Sequence, residues 1–128
     1  MEVDVRCPVM NASNGIARSD VLRSDLHRHN VSAMVVKGGQ IVSRGVNRYH
    51  RDGSIHAEVS ALTQMIRRKA SPEGCEIHVY RFMADGSYGL AKPCRECQQA
   101  LLEAGIKRVW YSDYDNQMKT LSLSSRTP

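Results

Sequence analysis

The order of strand-like and helix-like segments in these 128 residues predicts a layered α/β fold, one mixed five-stranded sheet with helices on both faces. Three observations predict it. Two β-prone runs flank a Gly-Gly pair and read as a tight hairpin. Beyond that hairpin, segments with helical apolar spacing alternate with strand-like runs. The first and third strand-like runs are apolar almost without interruption, as strands covered on both faces are.

The elements follow in order. Ser13 to Leu26 reads as a helix, with Ile16, Leu22 and Leu26 towards one side. Val31 to Lys37 (VSAMVVK) and Gln40 to Val46 (QIVSRGV) are the hairpin strands, joined at Gly38-Gly39. Residues 47 to 55 are polar and read as a loop. From His56 to about Lys69, Val59, Leu62, Met65 and Ile66 recur at helical spacing, and Ser71-Pro72-Glu73-Gly74 stops the helix. Glu76 to Met83 reads as the third strand and Ala84 to Lys92 as a glycine-containing loop. Pro93 is expected to open a helix whose face carries Cys97, Leu101 and Ala104 and whose end Gly105 caps. Lys107 to Ser112 and Met118 to Leu123 are the last two strands. The four residues Asp113 to Asn116 between them are too few for a parallel crossover, so this pair is expected to be antiparallel.

A chain of this length fits one domain, with a core from about 13 to 123 and frayed ends. Hydrophobic residues make up 41% and charged residues 24%, as in soluble globular proteins, and no apolar run reaches the roughly 18 residues of a membrane helix. The start, MEVDVRCPVM, does not read as a signal peptide, so a cytoplasmic protein is expected. The net charge of +5 favours anionic partners, yet it is spread along the chain and also fits an ordinary solvated surface.

The chemistry concentrates in two short motifs. Cys94 and Cys97 are three apart at a helix start, which puts their sulfurs on one face and favours the thiolate form that binds metal. His56, at another helix start, completes a His-Cys-Cys set suited to zinc, with the fourth tetrahedral position left to water. Glu58 is a ready proton carrier. On a regular helix positions i and i+2 diverge, so His56 and Glu58 converge only if they occupy the first turn. Two competing readings are a closed structural zinc site, with Cys75 or His78 as fourth ligand, and a redox Cys-x-x-Cys pair.

His56-Ala57-Glu58 followed by Pro93-Cys94-Arg95-Glu96-Cys97 matches H-x-E with P-C-x-x-C. With these motifs the chain resembles the cytidine and deoxycytidylate deaminase superfamily over about residues 13 to 123. The resemblance implies a three-layer cytidine-deaminase-like fold and zinc (Zn2+) held by His56, Cys94 and Cys97. It implies Glu58 as the catalytic proton shuttle and Asn47 and Ala57 as substrate contacts. The implied reaction is hydrolysis of cytosine to uracil and ammonia in a free nucleoside or nucleotide, by a homo-oligomer with no membrane partner. The alternative substrate is single-stranded DNA or RNA.

Within the superfamily the signals divide. His56 stands where free-nucleoside deaminases usually carry Cys and looks more like deoxycytidylate, tRNA-adenosine and polynucleotide deaminases. The expected C-terminal hairpin resembles the free-nucleoside branch instead. Trp110 and Tyr111 read as core residues. His27, His29 and His50 read as surface histidines, whereas Tyr49, Tyr88 and Tyr114 lie in loops that could border the pocket. Arg48, Arg51 and Lys92 could meet phosphate, surface charge being the default.

Overall fold

The computed structural model describes residues 14–18, 30–50 and 53–123. Residues 14–18 are helical and are labelled α1; the remainder of the helix expected to Leu26, together with Cys7, His27, His29, Arg51 and the C-terminal tail, lies outside the described residues. The elements are then β1 (Val31–Lys37), β2 (Gln40–Val46), β3 (Arg48–His50), β4 (Gly53–Ile55), α2 (Ala57–Arg67), β5 (Glu76–Phe82), β6 (Tyr88–Gly89), α3 (Arg95–Ala104), β7 (Arg108–Ser112) and β8 (Met118–Ser122). Among the described residues no helix is long and apolar enough to cross a membrane.

Five strands run in the order β2-β1-β5-β7-β8, and β6 adds a short antiparallel pairing to β5. β5 and β7 are parallel and every other pairing in this sheet is antiparallel, so the sheet is mixed as expected. Gly38 and Gly39 turn the β1–β2 hairpin with φ of 56° and 80°, values natural to the tight turn that a two-residue hairpin needs. The β7–β8 pair is the expected antiparallel hairpin. Its turn closes when Asn116 N–H donates to Asp113 O at 3.0 Å, while Asp113 Oδ1 accepts from Asp115 N–H at 3.2 Å.

Strand alternation divides the core into two layers. Ala33 and Val35 of β1, Ile77 and Val79 of β5 and Val109 of β7 face one side and pack against Ala61, Leu62 and Met65 of α2 and Leu101 of α3. Met34, Tyr80 and Phe82 face the other side, where they meet Ala17 of α1 and Tyr88 of β6. The sheet thus lies between α1 and the α2/α3 pair. Trp110 and Tyr111 are partly buried against these two layers, as core residues.

Three expectations are corrected. Residues 47–55 contain the two-stranded β3–β4 pairing, because three residues on each side suffice for a hairpin ladder even in polar sequence. Tyr88 lies in β6 and turns into the α1 layer, 7% exposed, with its hydroxyl accepting from Asn14 Nδ2; it does not border the cleft described below. Pro93 precedes the helix instead of opening it: Cys94 is the N-cap, in extended conformation, and α3 starts at Arg95.

Candidate functional site

Two helix N-termini meet above the β1–β5 region, and each delivers its donors by a different local device. His56 is the N-cap of α2, with φ −73° and ψ 153°, so its side chain leaves the backbone before the helical repeat begins. Glu58 belongs to the first turn. This break between extended and helical backbone lets residues two apart serve one centre, which a regular helix would forbid. The His56 side chain makes no capping hydrogen bond, leaving the imidazole to reach α3. At α3, Cys94 is the N-cap and its Sγ accepts from Cys97 N–H at 3.5 Å, holding the Cys-x-x-Cys turn in shape.

The three donor atoms converge. His56 Nδ1 is 3.0 Å from Cys97 Sγ and 3.7 Å from Cys94 Sγ, and all three donor atoms lie within 4.8 Å of one another. Tetrahedral zinc, with Zn–N and Zn–S bonds near 2.0 and 2.3 Å, calls for N···S separations of about 3.5 Å. The donors therefore fit zinc in both type and spacing. Cys75 and His78 are outside this group. Cys75 is buried in the α2/α3 core, and His78 belongs to the strand positions that face the α1 layer. A closed four-ligand site is therefore not formed by the described residues.

The electrostatics also call for a cation. Burial, and then the nearby Glu58 carboxylate and Cys94, push the Cys97 thiol far above its ordinary range. Without a positive charge that sulfur stays protonated; a metal ion inverts this balance. Glu58 is only 5% exposed. Its burial raises the carboxyl above the usual range, with its own backbone hydrogen bond and His56 pulling more weakly the other way. A raised carboxyl is suited to both taking and giving a proton near neutral pH.

A cleft of about 280 Å3 opens onto this centre. His56, Ala57, Glu58 and Cys94 line it. Asn47, the residue after β2, lies on its wall and is fixed there: its Oδ1 accepts from Val31 N–H at 3.2 Å, and its own N–H donates to Val31 O at 3.2 Å. Ala57 is 1% exposed and sits at the join of cleft and core. Asn47, His56, Ala57, Glu58 and Cys94 thus line one cleft, and Cys97 joins His56 and Cys94 in the donor group beside it. Arg81, which the sequence reading passed over, also lines the cleft, beside Lys92. Its signal was available as the last odd position of the Ile77, Val79, Arg81 row, where an apolar strand face ends in a cation. Tyr114 is 68% exposed in the β7–β8 turn, away from the cleft. The side chains of Arg48, Tyr49 and His50 lie outside the described residues.

A three-donor metal set with a buried carboxylate at its side is the arrangement of a catalytic centre whose fourth position is open to water. The family of the cytidine and deoxycytidylate deaminase zinc-binding region matches residues 9–113, and the chain belongs to that family. It is 32% identical over 91 residues to a tRNA-specific adenosine deaminase of Aquifex aeolicus, covering 68% of this chain and 54% of that protein. It is 27% identical over 109 residues to ComE operon protein 2 of Bacillus subtilis, covering 72% and 52%. The chain thus spans about half the length of these curated relatives. Among solved structures, deoxycytidylate deaminase of cyanophage S-TIM5 superposes with a TM-score of 0.66 at 26% identity, over 82% of each chain. Cytidine deaminase of Burkholderia pseudomallei shares the fold, with a TM-score of 0.69 at 20% identity over 88% of this chain and 91% of the other.

Proposed function

We propose that residues 13–123 form one zinc-dependent deaminase domain that hydrolyses the cytosine base of a free nucleoside or nucleotide to uracil and ammonia. The observation that carries this reading is the convergence of His56 Nδ1, Cys94 Sγ and Cys97 Sγ within 4.8 Å, beside a cleft that His56, Cys94 and Glu58 line. In this reading His56, Cys94 and Cys97 hold the zinc, and Glu58 moves protons. When bound, zinc acts as a Lewis acid that brings a water's pKa towards neutrality. The Glu58 carboxylate takes a proton from the attacking water as its oxygen adds to C4, and passes that proton to ring nitrogen N3. Glu58 then carries the second water proton to the exocyclic amine, which leaves as ammonia. Water supplies the oxygen and the base loses only NH3, so no oxidant or reductant is required. Asn47 and Ala57 orient the sugar and base, Asn47 from a side chain already fixed by Val31.

The test separates metal from proton transfer. Glu58→Ala should retain about one zinc per chain and its fold while deamination falls by at least about a hundredfold, the usual scale of a lost general acid–base. Near-normal turnover by zinc-replete Glu58→Ala would remove Glu58 from its role. The polynucleotide alternative has one supporting observation, the Aquifex aeolicus relative's description as a tRNA-specific enzyme.

A further inference from the structure

Three strand ends meet at one buried serine that the deamination chemistry does not use. The parallel β5–β7 register runs from Glu76 and Arg108 to Val79 and Tyr111 and stops there. The next β7 residue, Ser112, is fully buried. Its side chain takes over where the ladder stops: Ser112 Oγ accepts from Arg81 N–H at 2.9 Å and donates to Gly89 O at 2.7 Å. Its carbonyl accepts from Ala91 N–H at 2.9 Å. One residue thus joins the end of β5, the end of β6 and the segment that follows β6.

That segment leads to the metal donors. From Leu90 to Pro93 it has no regular secondary structure, so no strand ladder sets its register. Its residues alternate all the same. Gly89, Ala91 and Pro93 are buried, whereas Leu90, Lys92 and Cys94 are exposed and line the cleft. A slip of one residue would exchange the two sets. The start of this strap is packed tightly: a Cβ on Gly89 would come within 2.6 Å of Met83 Sδ and 3.1 Å of Arg81 Cδ. At its far end Pro93 O accepts from Gln98 Nε2 at 2.9 Å. Between these ends, the bonds from Ser112 to Gly89 and Ala91 hold the strap to β7.

We propose that Ser112 is a positioning residue of this centre, which locks the 89–94 strap in register so that the cleft wall and Cys94 stay aligned with Glu58. The inference rests on the deaminase reading above and adds to it a residue that acts at a distance. Among the described residues Ser112 belongs neither to the donor group nor to the cleft lining, so its action runs through the strap. Without its hydroxyl, Arg81 N–H and Gly89 O each lose a partner, and the strap keeps only the Ala91 bond to β7. A base held between the strap and Glu58 is then presented out of line, and a misplacement of about 1 Å costs turnover up to about a hundredfold. The three metal donors are untouched, so the metal stays. Ser43 supplies the contrast. It is 5% exposed, and its Oγ donates to Ala61 O at 2.7 Å, in the body of α2 instead of the strap.

The experiment compares the unaltered chain with Ser112→Ala, Ser112→Thr and Ser43→Ala, all zinc-loaded, with deoxycytidine and deoxycytidylate as substrates. Zinc content and amide hydrogen exchange at Ala91 are measured alongside, as readouts independent of turnover. Ser112→Ala should keep about one zinc per chain while kcat falls about ten- to a hundredfold and KM changes little. The Ala91 amide should exchange about tenfold faster or more, the scale of a lost buried hydrogen bond. Ser112→Thr, which keeps the hydroxyl, should recover most of both, and Ser43→Ala should lower Tm but keep kcat. If Ser112→Ala does not fold, Ser112→Cys, with a weaker donor in place, gives the same readouts at smaller amplitude. Unchanged kcat in zinc-replete Ser112→Ala, or unchanged exchange at Ala91, would overturn the proposal. So would an equal fall of kcat in Ser43→Ala, or a folded Ser112→Thr that recovers nothing. If neither cytosine compound reacts with the unaltered chain, the functional reading itself fails. The Ala91 amide then decides the tether separately: faster exchange in Ser112→Ala upholds it, and unchanged exchange ends it.

Discussion

The two faces of the central sheet are built from the same strands yet carry different chemistry. The face towards α2 and α3 is aliphatic: Ala33, Val35, Ile77, Val79 and Val109 form a smooth bed for two helices whose N-termini hold His56, Glu58, Cys94 and Cys97. The face towards α1 is aromatic, with Tyr80, Phe82, Tyr88 and Trp110. There Tyr80 and Phe82 stack at 6.0 Å, Tyr88 meets both edge-on at 5.9 Å, and the Arg18 guanidinium lies 4.4 Å above the Phe82 ring. The difference separates two tasks. Small aliphatic residues let the helices approach closely, as at Gly45, where a Cβ would meet Ala61 N and Ser60 at 2.7 Å. Close approach fixes the α2 N-terminus, while the aromatic face adds buried area and edge-to-face contacts without touching the site. Substitutions of the site residues that the first face carries should therefore alter metal and turnover, and substitutions on the second should alter stability alone.

The largest effect should come from two cysteines on the first face. Cys97→Ala should lose zinc almost completely and, with it, activity, because two remaining donors do not hold a tetrahedral ion. Cys75→Ala, buried in the same layer but outside the donor group, should keep about one zinc per chain and cost only on the order of 1 kcal/mol as a small cavity. Metal analysis after dialysis reads both. Zinc lost from Cys75→Ala and kept by Cys97→Ala would reverse the assignment of the donors.

On the second face, His78 is fully buried beside Trp110, and burial lowers its pKa from 6.5 to about 4, with Glu76 opposing more weakly. The folded pKa lies below the unfolded one, so the unfolded chain binds the extra proton first. The associated stability is complete above about pH 6.5 and declines as pH falls towards 4, by about 3 kcal/mol in total. Urea unfolding of zinc-loaded protein at pH 7 and pH 5 should show this decline, and His78→Phe should flatten it. The comparison between the two chains isolates His78 from acid loss of zinc, which both share. An unchanged slope in His78→Phe would mean that another group carries the acid sensitivity.

How much of this was legible follows from what sequence encodes locally. The Gly-Gly hairpin, the helical spacing in α2 and α3, the short turn that makes β7 and β8 antiparallel, and the two motifs that converge on one cleft are all set within a few residues of chain. The division of the sheet into aliphatic and aromatic faces was not legible, because strands covered on both sides lose the polar alternation that marks a face. Neither was the cleft position of Arg81, or the placement of Tyr88 in the α1 layer instead of at the pocket. Each depends on the β5–β6 pairing and on Ser112, which is 23 residues from its partner Gly89 in the chain and 31 from Arg81. The β3–β4 pairing escaped for a further reason: three-residue strands leave too little pattern to read.

The smallest effect tests the separation of the faces most sharply. Trp110 Nε1–H donates to Glu76 Oε1 at 2.9 Å across the parallel β5–β7 pair, Glu76 lying two residues before His78, the register partner of Trp110. Trp110→Phe removes this bond but keeps an aromatic ring in the α1 layer. Glu76 is only partly buried, so water can satisfy its carboxylate and the loss should stay near 1 kcal/mol, seen as a fall of a few degrees in Tm. The next strand residue, Tyr111, faces the α2/α3 layer, and Ser112 anchors Arg81, so β7 is a strand through which a disturbance on the aromatic face could reach the cleft. If the division of labour holds, Trp110→Phe keeps both kcat and the zinc content of the unaltered chain while Tm drops. A tenfold loss of kcat at unchanged zinc would show that β7 transmits between the faces, and that the aromatic layer positions the site as well as supporting it.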